Sequence, residues 1–395
     1  MSFRPHSARH GSVIWMPLAL LLCVSCEQQG DPTPAPPRSD LPVTNPASFA
    51  PNALQLLVDG SGQLREGSLQ LDDGGRIGLF YLAGLWAGCD RGDQPAANIA
   101  WAGSWPSTNF ACDWPPDSSG VVTLLPAETD PQAWNWPFEQ DFPRAGAGVP
   151  WLPGDALSWC AQTSDSITLP LLAAPCRELR FSQLLWGFRQ PELASTLFLR
   201  YTIRNQSVHD EPSLLVGFYL DTDLVGPGNS TGYDATRGVS YTYNPSDTGE
   251  TFVCGITFLE VNGVSDPGML VSSHRIMRKN GQLDPDFGEI GFERPEQILL
   301  ALRGLSNSGL PMINPVSGQP DLFAFSGDPV ARTGWLDSQL DVRSLLNGPG
   351  LSLAAGESVT LTLAFSVVRA GSLAEALERL RARFDGIRTD PGLWR

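Results

Sequence analysis

Three aspartates, Asp221, Asp223 and Asp234, follow the strand-like run Leu214–Leu220. Because Asp221 and Asp223 alternate at the expected end of a strand, both carboxylates should project to the same side of the chain. The glycine-rich loop that follows would let Asp234 close on this pair. Calcium takes about six to eight oxygen ligands, often from such loops. The pattern predicts a calcium site, with ordinary turn residues as the alternative interpretation.

The same loop contains Gly228-Asn229-Ser230-Thr231-Gly232, which matches the G-x-S-x-G pattern of a nucleophile elbow. That motif requires a preceding strand, a following helix and a histidine base, for which His274 is a candidate. A second strand is expected after Ser230 instead of a helix. We therefore interpret the match as a chance feature of a turn.

Tryptophan is concentrated between Trp86 and Trp186, and several of these residues adjoin proline, notably Trp105, Trp114 and Trp136. These three are candidates for a surface on which sugar rings stack. The favoured interpretation is that the rings form a small hydrophobic core for loops lying across a sheet. A pair of carboxylates for glycoside hydrolysis needs only proximity in space, so the sequence cannot select one.

Four cysteines are disulfide candidates, and their short spacings suggest the pairs Cys89–Cys112 and Cys160–Cys176. Four cysteines allow three connectivities, and spacing alone does not decide among them. Cys254 lies in an apolar run, where a buried thiol is expected.

The N-terminus has the form of an export signal. Arg4 and Arg9 precede an uncharged segment that ends at Cys26, with the small residue Ser25 before the cysteine. This segment is shorter than the ~20 apolar residues of a membrane span. It resembles the bacterial lipobox, in which the cysteine is lipidated and becomes the mature N-terminus, although Cys23 stands where leucine is preferred. We expect a lipoprotein signal at 1–25 and a Pro-rich tether at 26–50, with the outer membrane favoured.

Composition favours an all-β protein. The chain has 40 glycines and 34 prolines, and only 17% of its residues are charged. Its formal net charge of −16 disfavours nucleic acid as a partner, because an acidic surface repels phosphates.

Strand patterns begin near residue 53. The clearest is Ser358–Val368, in which large apolar residues alternate, as expected of a strand with one packed face and one wetter face. The other candidates are Leu54–Val58, Ser68–Leu71, Gly78–Trp86, Leu179–Leu185, Thr196–Asn205, Leu214–Leu220, Gly238–Tyr243, Phe252–Leu259 and Gln297–Leu302.

One amphipathic helix is expected at about 373–385. Ser372 and Glu375 form a capping box, apolar residues recur at helical spacing as far as Phe384, and Gly386 is a stop signal. We expect this helix to pack on the sheet.

Four stretches in succession resemble a family of exported β-rich proteins of Gram-negative bacteria, often associated with type IX secretion or lipoprotein signals. They are Ala83–Trp86, Gly148–Trp151 with Gly154-Asp155, Tyr201–Asn205 leading into Gly217–Asp223, and Gly327–Pro329 through Asn347–Pro349 to Gly356-Glu357. The resemblance covers most of residues 75–385 and implies a β-sandwich-like fold at the cell envelope. Members of this family tend to have acidic residues at the positions of Asp221, Asp223 and Asp234.

The sequence thus predicts one large antiparallel β-sandwich-like domain at 51–395, with a loop-rich insertion at about 87–178. The expected function is a lipid-anchored protein with a binding or structural role, stabilised by calcium, whose partner is a glycan or another surface protein. The alternative is a carbohydrate-active enzyme or glycan-binding protein that uses the tryptophan-rich loops.

Overall fold

The computed structural model describes residues 46–395, apart from residues 93, 100–101, 104, 107–110, 113–120, 131–141, 146–147, 164–175, 177, 226–228, 245–249, 279–284, 289–293 and 338–341. The segment Pro42–Arg395 forms one compact unit. The signal and most of the tether, including Cys26, lie outside the described residues.

The described residues form a sandwich of two nine-stranded antiparallel sheets. Sheet I contains β1 (Ala47–Phe49), β2 (Leu54–Val58), β3 (Leu64–Gln70), β4 (Arg76–Cys89), β5 (Ala96–Ile99), β13 (Glu211–Thr222), β17 (Ser273–Arg278), β20 (Val342–Asn347) and β21 (Leu351–Leu353). Sheet II contains β8 (Ala111–Cys112), β9 (Val122–Leu124), β10 (Ala156–Thr163), β11 (Leu179–Gly187), β12 (Thr196–Asn205), β14 (Ser230–Asp234), β15 (Val239–Tyr243), β16 (Thr251–Val261) and β22 (Ser358–Ala370). Two small ribbons pair β6 (Ala102–Gly103) with β7 (Trp105–Pro106), and β18 (Met312–Ile313) with β19 (Pro320–Asp321).

Sheet I runs in the order β1-β2-β3-β4-β13-β20-β17, with β5 beside β4 and β21 beside β13. Sheet II runs β14-β15-β16-β22-β12-β11-β10-β8, with β9 beside β10. Both sheets therefore join strands that are far apart in the sequence, and the all-β antiparallel prediction is confirmed.

Three helices lie among the described residues: α1 (Pro267–Leu270), α2 (Pro295–Leu302) and α3 (Leu373–Thr389). The strand expected at Gln297–Leu302 is wrong. Pro295 occupies the first turn of α2, where its missing N–H costs nothing, and apolar residues at helical spacing bury against the outer face of sheet I. No described helix is long and apolar enough to cross a membrane.

The alternation of β22 places Leu361, Leu363 and Phe365 in the core between the sheets, as predicted. The opposite face of β22 was expected to be more exposed to solvent, but most of it is buried. Ala364 and Val368 pack with the apolar stripe of α3 in a second core on the outside of sheet II. Each sheet therefore has two covered faces over part of its area.

Helix α3 begins as predicted and ends later. The Ser372 hydroxyl accepts from the Glu375 N–H at 3.3 Å, while the Glu375 carboxylate accepts from the Gly371 N–H. The helix runs through Gly386, the expected stop, to Thr389. Its last turn is held by packing, because Ile387 is buried against sheet II.

Close approach of α3 depends on a glycine in β16. A Cβ atom built on Gly255 would lie 2.9 Å from the Leu380 side chain and 3.2 Å from that of Phe384. A larger residue at this position would therefore displace the side chains with which α3 packs on the sheet.

The suggested disulfide pairs Cys89–Cys112 and Cys160–Cys176 are wrong. Cys89 at the end of β4 is bonded to Cys176, with their Cα atoms 5.9 Å apart. The short spacings between cysteines predicted the wrong pairs, because the true partners are 87 residues apart and are brought together where the chain returns to β11. The Cys112 side chain lies outside the described residues, and Cys254 is buried, as expected.

Candidate functional site

The predicted site residue Asp221 lies near the end of β13 and is buried. Its carboxylate lies 3.4 Å from the Nε of Arg343, the residue directly opposite on β20. Both side chains are less than a tenth exposed. The pair therefore neutralises two charges on the outer face of sheet I.

Asp234 lies at the end of β14 in the other sheet. One of its carboxylate oxygens accepts from Nε of Arg381 on α3 at 2.8 Å and lies 3.5 Å from Arg237. Arg237 in turn forms a two-pronged contact with Asp385 on α3. These contacts fasten the edge of sheet II to the helix.

Asp223 is exposed one residue beyond β13, and its N–H donates to the Leu79 carbonyl at 3.1 Å. Within the part of the chain that the structure describes, no three potential metal ligands come together. Asp221 on sheet I instead pairs with Arg343, whereas Asp234 on sheet II pairs with Arg381 of α3 and lies close to Arg237. Residues 226–228 of the loop are not described, and the calcium site stays a prediction.

Ser230, the central residue of the G-x-S-x-G match, is a buried residue that begins β14. The next element is the strand β15, so the local structure is a hairpin and not a nucleophile elbow. The interpretation as a chance match agrees with this geometry.

A serine–histidine contact occurs elsewhere, and sequence reasoning missed it. Nε2 of His274 on β17 lies 3.0 Å from Oγ of Ser240 on β15. Nδ1 of His274 lies 2.8 Å from the Ala324 carbonyl, which can only accept. Nδ1 therefore carries the proton, and Nε2 accepts from the serine.

Both members of this contact are buried, with Ser240 1% and His274 0% exposed. Burial lowers the pKa of His274 to about 4, so the ring is neutral at physiological pH. The imidazole stacks on Tyr233, whose ring centroid is 5.3 Å away. Because Ser240 and His274 belong to different sheets, the contact fastens the two sheets together.

A group of threonine hydroxyls also joins the two sheets. Thr242 on β15 contacts Thr222 of sheet I at 3.2 Å and Thr231 on β14 at 3.3 Å. All three side chains are buried. The alternation of polar residues with tyrosines in β15 was a sequence signal that one face of this strand is polar. It did not identify the partners of that face on β13 or β17.

The described tryptophans of the 86–186 stretch take part in packing. Trp86, Trp159 and Trp186 are at most 1% exposed. Trp86 stacks on Tyr219 with a centroid distance of 5.2 Å. These three residues lie in strands of the two sheets, so the small core expected for the loops stays a prediction.

Trp151 is only partly buried, and one of its faces is occupied. The guanidinium carbon of Arg200 lies 4.1 Å from the centroid of the Trp151 ring. The same guanidinium donates to the Trp394 carbonyl at 2.5 Å. Burial lowers the pKa of Arg200 to about 10, which leaves it charged. The side chains of the stacking candidates Trp105, Trp114 and Trp136 lie outside the described residues, so their role stays a prediction.

Comparisons with known proteins give distant structural likenesses. No protein-family model and no curated protein matches the sequence. A bacterial glucoamylase complexed with acarbose is 6% identical with a TM-score of 0.35, over 85% of this chain and 33% of that one. A putative aldose 1-epimerase from Escherichia coli K12 is 10% identical with a TM-score of 0.34, over 82% of this chain and 98% of that one.

A polysaccharide lyase is 10% identical with a TM-score of 0.36, over 84% of this chain and 34% of that one. The chain thus spans about a third of the length of the glucoamylase and of the lyase. With TM-scores this low, the likenesses carry no argument about the function of this chain.

Proposed function

We propose that the protein is a lipid-anchored extracytoplasmic protein with a binding or structural role at the bacterial envelope. The observation that carries the proposal is the buried disulfide between Cys89 and Cys176. Disulfides form and persist in oxidising compartments and are rare in the cytosol. A protein with such a bond fits the export signal that ends at Cys26.

The position of the disulfide supports a structural role for it. It joins the end of β4 to Cys176, three residues before β11 begins, and so closes the insertion between these two strands. Next to the bond, the Cys176 N–H donates to the side-chain oxygen of Asn98 on β5 at 2.7 Å. The insertion is thus fastened at both ends to the same part of sheet I.

Three side chains that could take part in acid–base chemistry are instead engaged in contacts within the fold, which also supports this proposal. The Asp221 carboxylate is paired with Arg343, the Asp234 carboxylate with Arg381, and the His274 ring is buried against Ser240. In each case the contact joins strands or a strand and a helix. These contacts support a rigid scaffold, and the partner that we propose for it is a glycan or another surface protein.

The anchoring part of the proposal is tested by Cys26→Ala. In cell fractionation, the native protein should sediment with membranes and enter the detergent phase, whereas the variant should be soluble or remain as unprocessed precursor. Cys23→Leu is the matched control, because it restores the residue that the lipobox prefers, and it should stay membrane-bound. Equal membrane association of the native protein and Cys26→Ala would refute the anchor.

A further inference from the structure

Arg275 is a buried cation on β17, at the edge of sheet I. It lies opposite Leu345 of β20, and its side chain is 0% exposed. Leu345 belongs to the apolar cluster beneath α2. The guanidinium therefore lies on the outer face of the sheet, at the border of that cluster.

Among the described residues, the guanidinium has one hydrogen-bond partner, and that partner is neutral. Its Nη2 donates to the side-chain oxygen of Asn307 at 2.7 Å. Nε and Nη1 have no hydrogen-bond partner among the residues that the structure describes. The ring of Phe287 has its centroid 6.0 Å from the guanidinium carbon.

Burial lowers the pKa of Arg275 to about 9, so the group remains charged at neutral pH. Among the residues that the structure describes, no carboxylate pairs with Arg275 and its hydrogen bonds are incomplete, which is strongly unfavourable for a buried charge. Two other arginines have the partners that Arg275 lacks. The buried Arg343 faces a carboxylate, and the partly buried Arg383 donates to two oxygens of β22 and to the Ser195 hydroxyl.

The cover over Arg275 is thin. Phe287 and Asn307 are both partly exposed, so the guanidinium lies about one side chain below the surface. Phe287 belongs to the 3₁₀ turn Pro285–Phe287, and the turn is joined to Asn307 by a 2.8 Å hydrogen bond from the Asn307 N–H to the Asp286 carbonyl. A shift of the Phe287 side chain would open a path from solvent.

We propose that Arg275 anchors a binding site for a small oxyanion, a carboxylate, phosphate or sulfate group. The unused N–H groups form the planar fork that matches two oxygens of such a group. Asn307 holds the fork in place, and Phe287 shields the bound anion from water. This inference is independent of the lipid anchor.

Titration of the purified full-length protein tests the site, with sodium phosphate, sulfate and acetate compared with chloride at equal ionic strength. At least one oxyanion should raise the Tm in a saturable manner, because a ligand that binds only the folded state stabilises it. Arg275→Met should abolish the effect. Arg76→Met, which removes an exposed arginine of β4, should leave it unchanged.

Arg275→Lys keeps the buried positive charge but loses the planar pair of N–H groups. It is the variant to measure if Arg275→Met fails to fold. It should bind the same oxyanion at least about tenfold more weakly. The proposal is overturned if no oxyanion exceeds chloride, or if Arg275→Met responds as the native protein does.

Discussion

Removal of the Cys89–Cys176 disulfide should destabilise the sandwich strongly. The bond closes a loop across a sequence separation of 87 residues. In the chain-entropy model, a loop of this length gives about 4–5 kcal/mol at 25 °C through restriction of the unfolded chain. This loss is a large fraction of the ~5–15 kcal/mol that stabilises a typical domain.

Equilibrium urea unfolding of the native protein and of Cys89→Ser/Cys176→Ser measures the effect. The double variant should have a lower midpoint and a steeper m-value, because its unfolded state is less constrained. Reductant should lower the midpoint of the native protein and leave that of the double variant unchanged. Cys254→Ala, at a buried thiol outside the disulfide, is the control that should keep the sensitivity to reductant.

Peptide mapping under oxidising conditions identifies the pairing directly. A linked peptide containing Cys89 and Cys176 is expected. A midpoint that does not change in the double variant would refute the reasoning. So would recovery of Cys89 linked to Cys112, or of Cys160 linked to Cys176.

Three further predictions concern packing, charge and metal. Phe384→Ala should lower the free energy of unfolding by about 3–5 kcal/mol in urea titration, because the ring is 0% exposed between α3 and sheet II. The control Arg379→Ala, on the exposed side of α3, should lower it by less than about 1 kcal/mol. Between pH 7 and pH 5 the free energy of unfolding of the native protein should fall by about 2 kcal/mol through His274. The pKa of His274 in the folded protein, about 4, lies below the ordinary 6.5, so the unfolded state takes up the proton first. A His274→Asn variant whose unfolding midpoint differs from that of the native protein by the same amount at both pH values would contradict this. The calcium site predicted from the sequence requires the Tm to be higher with calcium than with EDTA, and an unchanged Tm would refute that site.

Local patterns predicted the elements whose burial follows a simple period. Thr196–Asn205 is a strand with the expected bounds, and the alternation of Ser358–Val368 marked the inner face of sheet II correctly. The Ser372 cap gave the start of α3. These features depend on residues within about ten positions of one another.

Contacts between distant parts of the chain were beyond local pattern reading. The segment Gln297–Leu302 has an apolar run that suits either a strand or a buried helix turn, and only the outer face of sheet I selects the helix. The partners Ser240 and His274 lie on different sheets, so no spacing rule joins them. The pairing of Asp221 with Arg343 depends in the same way on the register of β13 with β20.

Mass spectrometry of the mature N-terminal peptide tests the central claim most directly. Material extracted from membranes should yield a peptide that begins at Cys26 and carries the mass of a diacylglyceryl group, with or without a further acyl chain on the amine. Removal of residues 1–25 and lipidation of Cys26 together would support an anchored extracytoplasmic protein. An unmodified Cys26 within an intact N-terminus, or a mature chain that begins beyond Cys26, would contradict it.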